Sequence, residues 1–243
     1  MSSQITNDPK KWQWPENMYI LQEKFKAGKP FPHICLDNVF PEDVLQKIYS
    51  DVPPSSSPLW TSWGSGAADD CLPRNSKKGI SSLLFLSTYT GEFLKLLNSD
   101  TFIQDLMNIS GIRDLSADPT LNGGGLHCTG RGGRLRVHVD KVRHTRPALF
   151  DQALNLILFI NPDWKTEYGG FLEFWSQDGS ERVVSILPQF NRLVLFYSDH
   201  TSYHGQPQPL TCPDGMYRTS LAIYYYVPRL SQNTFKTNEI IWI

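Results

Sequence analysis

Two residues with metal-binding side chains stand two positions apart in the segment RLRVHVD, namely His138 and Asp140. This short run with alternating apolar residues predicts a β-strand, and residues two positions apart on a strand project from the same face. An imidazole and a carboxylate on one face can supply two ligands to a metal ion. The same spacing also occurs on solvent-exposed strands with no metal, so a third ligand must decide between the two interpretations.

His204 in the segment SYHGQP is the predicted third ligand, because Gly205 beside it would allow two backbones to approach closely. Two imidazoles and one carboxylate form a facial triad that leaves coordination positions open, as in non-haem iron(II) sites. His200, four residues earlier, is a rival for the third position. We prefer His204, because the segment SDHTS around His200 is expected to be exposed.

Further along the chain, the segment YRTSLAIYYY places Arg218 and Ser220 on one face of a predicted strand. The guanidinium fork and the hydroxyl could together bind a carboxylate, although a surface arginine on an edge strand is the alternative. Asn155, in ALNLILFIN, is expected to lie inside the fold. Its amide would contact a co-substrate or substrate, or make a structural hydrogen bond.

Six short apolar runs bounded by turn residues follow residue 117, and no helix-length pattern separates them. They are RLRVHVD, ALNLILFINP, GFLEFWS, ERVVSILP, NRLVLFYS and RTSLAIYYYVP. Such spacing predicts strands of an antiparallel barrel or jelly roll. The glycines at 123–125 and 130–134 are attributed to turns between strands, since neither group opens a helix.

The N-terminal part is expected to form helices and a strand that pack against this β-rich core. We expect a strand in residues 29–40, a helix in 41–52, and two short helices in 90–110 that are interrupted near 98–100. Residues 53–80 have the composition of a long loop. One domain of 1–243 is therefore expected, with supporting elements in 1–116, a jelly-roll core in 117–228 and a C-terminal extension in 229–243.

Composition excludes several classes of protein. The 243 residues are 40% hydrophobic and 19% charged, with a formal net charge of -1, so nothing favours a nucleic acid or an anionic membrane as partner. No apolar run approaches the roughly 20 residues that span a bilayer, and no leader is recognisable. The four cysteines form no C-x-x-C pair and are expected to be reduced. A cytoplasmic protein is therefore expected.

From 117 to 228 the sequence resembles the 2-oxoglutarate and iron(II)-dependent oxygenases, specifically the branch similar to prolyl 4-hydroxylases. The segments that carry the resemblance are GGGLHCTGRGGRLRVHVD, NLILFINPDW, EYGGFLEFW, PQFNRLVLFYS, SYHGQP and RTSLAIYYY. The resemblance implies a mainly β fold, a double-stranded β-helix of the cupin-like jelly-roll type, with the N-terminal helices packed on one face. It also implies iron(II) held by His138, Asp140 and His204, with Arg218 at the 2-oxoglutarate carboxylate.

The implied reaction consumes O2, converts 2-oxoglutarate to succinate and hydroxylates a small molecule or a peptidyl side chain, with ascorbate as a candidate supporting reductant. The oligomeric state stays open. Many relatives have an aromatic residue after the H-x-D pair, whereas this chain has Lys141, then Arg143, His144 and Arg146. This basic stretch is a rim that recognises an acidic substrate or, as we prefer, a solvated loop.

Several alternatives remain at the level of sequence. His127 and Arg134 flank the H-x-D strand and either line the pocket or serve structure, and Trp60 and Trp63 either close over substrate or pack the loop onto the core. The competing function is a non-catalytic jelly-roll module that binds a ligand, with a structural metal or none. A third possibility is an enzyme with another divalent metal in the same site.

Overall fold

Four α-helices precede the strands that carry the predicted site. They are α1 (Met18–Ala27), α2 (Glu42–Ser50), α3 (Thr88–Leu97) and α4 (Asp100–Ser110) in the computed structural model, which describes residues 12–62, 77–140, 150–229 and 241–243. Asn17, Ser87 and Ser99 each accept a hydrogen bond from a backbone N–H in the first turn of α1, α3 and α4. These side chains therefore act as N-caps. Because Asn98 and Ser99 separate α3 from α4, the predicted interruption is confirmed.

The predicted helix in 41–52 is confirmed as α2, which begins after Pro41 and has Glu42 and Asp43 in its first turn. Acidic side chains there favour helix formation through the helix dipole. Helix α1 was not predicted. Its only buried residues are Leu21 and Phe25, so its apolar stripe is too short to stand out in the sequence.

Within the described ranges, thirteen strands follow or flank these helices. In chain order they are β1 (His33–Asp37), β2 (Thr61–Ser62), β3 (Lys78–Ile80), β4 (Ser116–Ala117), β5 (Gly125–Gly130), β6 (Leu135–Val139), β7 (Phe150–Phe159), β8 (Leu172–Trp175), β9 (Arg182–Ile186), β10 (Arg192–Tyr197), β11 (His204–Gln206), β12 (Tyr217–Pro228) and β13 (Ile241–Trp242). Two short 3-10 helices cover Leu83–Phe85 and Thr166–Tyr168. All six strands predicted after residue 117 are confirmed, as is the strand predicted in 29–40.

The strands form two sheets, and every pairing described is antiparallel. The larger sheet has the order β1-β10-β7-β12-β5-β3-β2, with β4 also paired to β12, and the smaller has the order β13-β6-β11-β8-β9. Consecutive strands alternate between the sheets in part of the chain, since β6 and β8 lie in the smaller sheet and β7 in the larger one. This arrangement confirms the predicted jelly roll, a double-stranded β-helix.

Strand β7 shows how the two faces of the larger sheet are used. Leu154, Leu156 and Leu158 belong to the main core, which also contains buried residues of all four helices. Phe159 packs instead in a second cluster with residues of β8, β9 and β10, and Asn155 faces a cavity. The helices therefore cover one face of the larger sheet, as predicted, and the opposite face looks towards the smaller sheet.

Two sequence-based expectations are corrected at the edge of the larger sheet. Residues 53–80 were predicted to be a long loop, but within the described part β2 pairs with β3, and β3 pairs with β5. The glycines at 123–125 were attributed to turns, yet Gly125 begins β5. A Cβ atom at Gly125 would collide with the carbonyl oxygen of Ile80. This glycine therefore allows β3 to approach the start of β5, a constraint that comes from a distant part of the chain.

The N-terminal segment is tied directly into the larger sheet. Strand β1 pairs with β10, and Arg192 on β10 makes two hydrogen bonds of 2.7 Å to the Asp37 carboxylate. The buried Asn191 donates its side-chain N–H to Phe40 O and accepts from Phe40 N–H. Residues before and after the jelly-roll boundary therefore share one sheet and one core.

Cys35, Cys128 and Cys212 are free thiols, and Cys71 lies outside the described residues. Burial raises the pKa of Cys128 to about 12, so this thiol is not ionised near neutral pH. Among the helices described, none is both long and apolar enough to cross a membrane.

Candidate active site

Three buried side chains with metal-binding atoms meet between the two sheets. His138 lies in β6, Asp140 follows the last residue of β6, and His204 begins β11. His138 and His204 are direct neighbours in the antiparallel pair β6–β11, and their ring centroids are 4.6 Å apart. One ligand atom from each of the three residues lies within 4.8 Å of the other two. The structure thus brings together the three residues that the sequence suggested as metal ligands.

Gly205 makes the close pairing of β11 and β6 possible. A Cβ atom at this position would lie 2.8 Å from Arg136 O and 2.9 Å from Val137 Cα. Both neighbouring atoms belong to the backbone of the strand segment beside it, which cannot move away without separating the two strands. The predicted role of Gly205 in backbone approach is therefore confirmed.

Hydrogen bonds to backbone carbonyls fix the orientation of both imidazole rings. Nδ1 of His138 is 2.8 Å from Arg136 O, and Nδ1 of His204 is 2.9 Å from Ser202 O. A carbonyl oxygen can only accept, so Nδ1 carries the proton in each ring and Nε2 presents a lone pair. Burial lowers the pKa of His204 to about 4, against the opposing effect of Asp140. His204 is therefore neutral near pH 7, the state that binds metals.

Asp140 remains ionised although it is buried. Burial alone would raise its pKa, but the neighbouring imidazoles of His204 and His138 and the hydrogen bond from Gln152 hold the pKa well below its usual range. Its Oδ2 atom accepts hydrogen bonds from Asn155 Nδ2 at 2.8 Å and Gln152 Nε2 at 3.1 Å. The two amides hold the carboxylate in one orientation, as the partners of metal-binding carboxylates commonly do.

Gln152 was not suggested by the sequence, and the reason lies in the geometry of β7. Strict alternation would put Gln152 and Asn155 on opposite faces, since they are three residues apart. The pairing of β7 with β12 shifts register here, because Tyr225 pairs with Leu154 and Tyr226 pairs with Gln152. Ala153 is thus an extra residue, and such a bulge turns Gln152 to the same side as Asn155. A bulge of this kind has no reliable sign in the sequence.

The donor set fits a divalent metal ion. Nε2 of His138 lies 3.4 Å from Asp140 Oδ1, and Nε2 of His204 lies 3.7 Å from Asp140 Oδ2. With Nδ1 protonated in both rings, two lone pairs and an anionic carboxylate face one another in a buried space. Such a set of acceptors is stabilised by a shared cation, and two imidazoles with one carboxylate suit non-haem iron(II).

A cavity beside the three residues contains the rest of the predicted site. Its apolar wall includes Leu135, Ile157, Leu172 and Ala222, and its polar wall includes Lys77, His127, Thr129, Arg218, Ser220 and Tyr224. Arg218, Ser220, Ala222 and Tyr224 are alternate residues of β12. The strand therefore presents one face to the cavity, as its sequence suggested for Arg218 and Ser220.

The guanidinium of Arg218 is held in place by neutral groups. Its Nε donates to Gly170 O at 2.7 Å, and its Cζ lies 4.7 Å from the centroid of the Phe159 ring. Within the described part of the chain, no carboxylate is at ion-pair distance from it. Burial lowers its pKa to about 10, so it stays charged near pH 7. A partly buried cation with no carboxylate partner among the described residues favours an anionic ligand in the cavity.

The amide nitrogen and the amide oxygen of Asn155 have different environments. Its Nδ2 donates to Asp140, whereas its buried Oδ1 has no hydrogen-bond partner in the described part of the chain. The same side chain lines the cavity. A structural hydrogen bond, one of the two expected alternatives, is therefore present, and the unsatisfied oxygen can still accept from a ligand.

The other candidate residues are distributed between the cavity and the surface. His127 lines the cavity, and burial keeps its pKa well below the usual value. Arg134 lies outside that cavity, in a surface groove with Arg136. His200 is exposed, as expected, and is absent from the described group of metal-binding side chains.

Among the predicted lid and rim residues, Trp60 packs against the main core and donates its indole N–H to Pro54 O at 3.0 Å. Trp63, together with Lys141, Arg143, His144 and Arg146, lies outside the described residues. Lys77 lines the cavity and was not suggested by the sequence. Only the pairing of β3 with the distant β5 brings it there.

Comparison with known proteins places these residues in a family. Residues 124–226 match the model of the 2OG-Fe(II) oxygenase superfamily, and this range includes the three metal-binding candidates and Arg218. The prolyl 3-hydroxylase OGFOD1 of Xenopus laevis is 37% identical over 54 residues. That match covers 22% of this chain and only 11% of the relative, so the chain spans a small part of that protein's length.

Two solved structures share the fold at low sequence identity. The prolyl hydroxylase of Trichoplax adhaerens, in complex with a peptide fragment of the hypoxia inducible factor oxygen degradation domain, has a TM-score of 0.57 at 16% identity, over 86% of this chain and 90% of that one. A Burkholderia pseudomallei oxidoreductase of the 2OG-Fe(II) oxygenase family has a TM-score of 0.58 at 12% identity, over 87% and 91%. The sequence match, the buried His-Asp-His group and its cavity therefore make the segment 124–226 similar to the 2OG-Fe(II) oxygenase superfamily.

Proposed function

We propose that this protein is an iron(II)- and 2-oxoglutarate-dependent dioxygenase that hydroxylates an unactivated C–H bond. In the overall reaction one oxygen atom of O2 enters the substrate as a hydroxyl group, and the other enters succinate as 2-oxoglutarate loses CO2. The single observation that carries the proposal is the shared cavity, which His138, Asp140 and His204 line together with the cation of Arg218, which has no ion-pair partner among the described residues. A metal site and a carboxylate site side by side match this pair of cofactors.

The residues of the chain divide the work of binding and orientation. His138, Asp140 and His204 would hold iron(II), whose chemistry is the activation of O2 coupled to oxidation of 2-oxoglutarate. Arg218 would bind the distal carboxylate of 2-oxoglutarate, and the hydroxyl of Ser220 on the same face of β12 would add a second donor. Asn155 would orient Asp140 through Nδ2 and offer Oδ1 to a ligand. The apolar wall of Leu135, Ile157 and Leu172 would limit the access of water.

The prime substrate is proposed to be a small molecule or a peptidyl side chain. Peptidyl proline is the first class to test, because the matched relative is a prolyl 3-hydroxylase and one structure of similar fold was solved with a peptide fragment. Free amino acids and other small molecules form the second class. We also propose that residues 1–243 form a single domain and, from the three free thiols, that the protein works in the cytoplasm.

The proposal is tested by binding of the two cofactors without turnover. Protein loaded anaerobically with iron(II) is titrated with 2-oxoglutarate, and the weak visible charge-transfer band of the complex is recorded. We expect a saturable band in the parent protein and much weaker binding in Arg218→Met. Arg134→Met is the matched control, because Arg134 lies outside the cavity. Succinate release is then measured with proline-containing peptides and with free amino acids.

Ligand identity is tested by a pair of histidine variants. His204→Ala should lose iron, whereas His200→Ala should retain it, because His200 is exposed and stands only four residues away. Retention of iron and of the band in folded His204→Ala would refute the assignment. A parent protein that is folded and loaded with iron but gives no band would favour a ligand-binding module without 2-oxoglutarate chemistry.

A further inference from the structure

The cavity contains a second cationic side chain that the proposed function does not use. Lys77 and Arg218 both line it, and Asp140 is the only acidic residue among the described side chains that do. Positive charges thus outnumber negative ones before any metal ion is bound. Lys77 immediately precedes β3, which lies between β5 and the outermost strand β2 of the larger sheet.

The register of three adjacent strands explains why these two cations share the cavity. Lys78 pairs with Cys128, so continuing the β3–β5 register by one residue places Lys77 beside Thr129. Thr129 in turn pairs with Arg218 across β5 and β12. Residues directly opposite each other on neighbouring strands project from the same face of a sheet. Lys77, Thr129 and Arg218 therefore form a lateral row, and all three line the cavity.

Strand spacing decides what this row can bind. Neighbouring strands are about 4.8 Å apart, so the Cα atoms of Lys77 and Arg218 are separated by roughly 10 Å. Both side chains are long and flexible enough to reach a group that lies over Thr129. The hydroxyls of Thr129 and Ser220 stand on the same wall. A carboxylate in this position could receive donors from two cations and a hydroxyl.

The electrostatics of Lys77 agree with this placement. Burial lowers its pKa to about 8, Asp140 acts in the opposite direction, and the positive charge of Arg218 lowers it further. Lys77 also contributes to the low pKa values of His127 and His204. The ammonium group is therefore close enough to influence several cavity residues, and two cations that repel each other across Thr129 would both be stabilised by a shared anion.

Building on the proposed function, we propose that Lys77 is a second binding residue for the distal carboxylate of 2-oxoglutarate, opposite Arg218. Arg218 supplies a planar fork with a fixed position, since its Nε is already held by Gly170 O. Lys77 supplies a compact ammonium group from the residue before β3. The two side chains reach the cofactor from different elements, so correct docking of β3 onto β5 becomes part of the co-substrate site.

The test compares two ligands that differ only at the distal carboxylate. The iron(II)-loaded protein is titrated anaerobically with 2-oxoglutarate and with 2-oxopentanoate, which lacks that carboxylate, and dissociation constants are obtained from the charge-transfer band. Lys77→Met should weaken 2-oxoglutarate binding about tenfold to a hundredfold, the range for losing a hydrogen bond to a charged group. Binding of 2-oxopentanoate should change less than about twofold, and Lys77→Arg should restore part of the affinity for 2-oxoglutarate.

Lys78→Met is the matched control. Lys78 is the next residue, it is absent from the cavity wall, and its Nζ lies 3.3 Å from Ser55 O. Iron content and thermal unfolding of each variant show whether the site is assembled. Equal weakening of both ligands in Lys77→Met would place Lys77 at the metal-binding half of the cofactor and overturn the inference, as would unchanged binding of both. Failure of the parent protein to bind 2-oxoglutarate would instead overturn the proposed function, and the role of Lys77 with it.

Discussion

The Asp140 carboxylate accepts amide hydrogen bonds from Gln152 and Asn155, both in β7. Both amides orient this one carboxylate, which would bind the metal. Asn155 also faces the cavity, so a change there would alter two functions at once. Gln152 is a cleaner probe, since its amide spans from Asp140 Oδ2 to Ser198 Oγ at 3.1 and 3.0 Å. The orientation of the carboxylate can thus be tested without changing a metal ligand.

Gln152→Leu should lower metal affinity about 10- to 100-fold, as the loss of an outer-sphere hydrogen bond usually does. Competition with a chelator for Co(II) or iron(II), performed without oxygen, measures the effect. Gln177→Leu is the control, because Gln177 is exposed and its side-chain amide donates to Pro30 O at 3.4 Å. Equal metal affinity of Gln152→Leu and the parent protein would show that Asn155 alone is sufficient to orient Asp140.

Lys77 should be unusually reactive towards acylating reagents in the metal-free protein. Burial lowers its pKa to about 8, so raising the pH through 8 removes its proton and produces the nucleophilic amine. At pH 8 about half of Lys77 is neutral, against about 0.4% for an ordinary lysine of pKa about 10.4. Brief treatment with acetic anhydride at pH 8, followed by peptide mass spectrometry, should show preferential labelling of Lys77 over the exposed Lys24, and labelling of Lys77 should fall about 50-fold at pH 6, where only about 1% of it is neutral.

At the scale of elements, the metal site depends on how closely β11 approaches β6. Gly205→Ala would place a methyl group against the backbone of Arg136 and Val137. The strands would have to separate, which should cost about 1–3 kcal/mol of stability and weaken metal binding by moving His204 away from His138. Urea unfolding and metal titration of the same variant measure both effects.

Gly91→Ala is the control, because it makes the same substitution at a position where the added methyl group has room. Gly91 lies inside α3, where a Cβ atom would meet only Leu83 Cδ2 at 4.0 Å. This variant should be more stable than the parent by about 0.5–1 kcal/mol, because alanine favours the helix, and its metal affinity should be unchanged. Unaltered metal binding in Gly205→Ala would mean that β11 and β6 can separate without disturbing the histidines.

At the scale of the whole molecule, Asn191 joins the N-terminal elements to the jelly roll. Its side chain makes two hydrogen bonds to the backbone of Phe40, and its own backbone is left-handed, with φ 57°. Asn191→Ala should therefore cost about 2–4 kcal/mol, since it leaves buried backbone groups unpaired and puts alanine in an unfavourable conformation.

Unfolding of Asn191→Ala should remain a single transition when it is followed by far-UV and near-UV circular dichroism, because the helices and the larger sheet share one core. Asn108→Ala, on the exposed face of α4, is the control and should change stability little. Separate transitions for helices and sheet would contradict the proposed single domain.

The sequence was informative where a signal is local. Long apolar strands such as β7 and β12 and the interrupted helices α3 and α4 follow from residue patterns, and so does the pairing of His138 with Asp140 on one face. Strand β5 was missed, because it begins at a glycine, and β11 has only three residues, too few to show an apolar pattern of its own. The side-chain direction of Gln152 depends on a bulge in β7, and the place of Lys77 in the cavity depends on β5, about fifty residues away in sequence. Neither relation is visible in a local sequence pattern.

The alternation of side chains along β12 determines where the coding sequence can accept insertions and deletions. Arg218 and Ser220 face the same cavity because they are an even number of residues apart. Substitutions that keep the length of this segment therefore preserve the direction of both side chains, whereas insertion or deletion of one codon between them would turn one of them towards the helices. The irregularity in pairing lies after Tyr225, beyond the residues that bind the co-substrate in our proposal. We therefore expect insertions and deletions of single codons in homologous sequences after Tyr225, at the end of β12. Near Arg218 and Ser220, at its beginning, they should be absent.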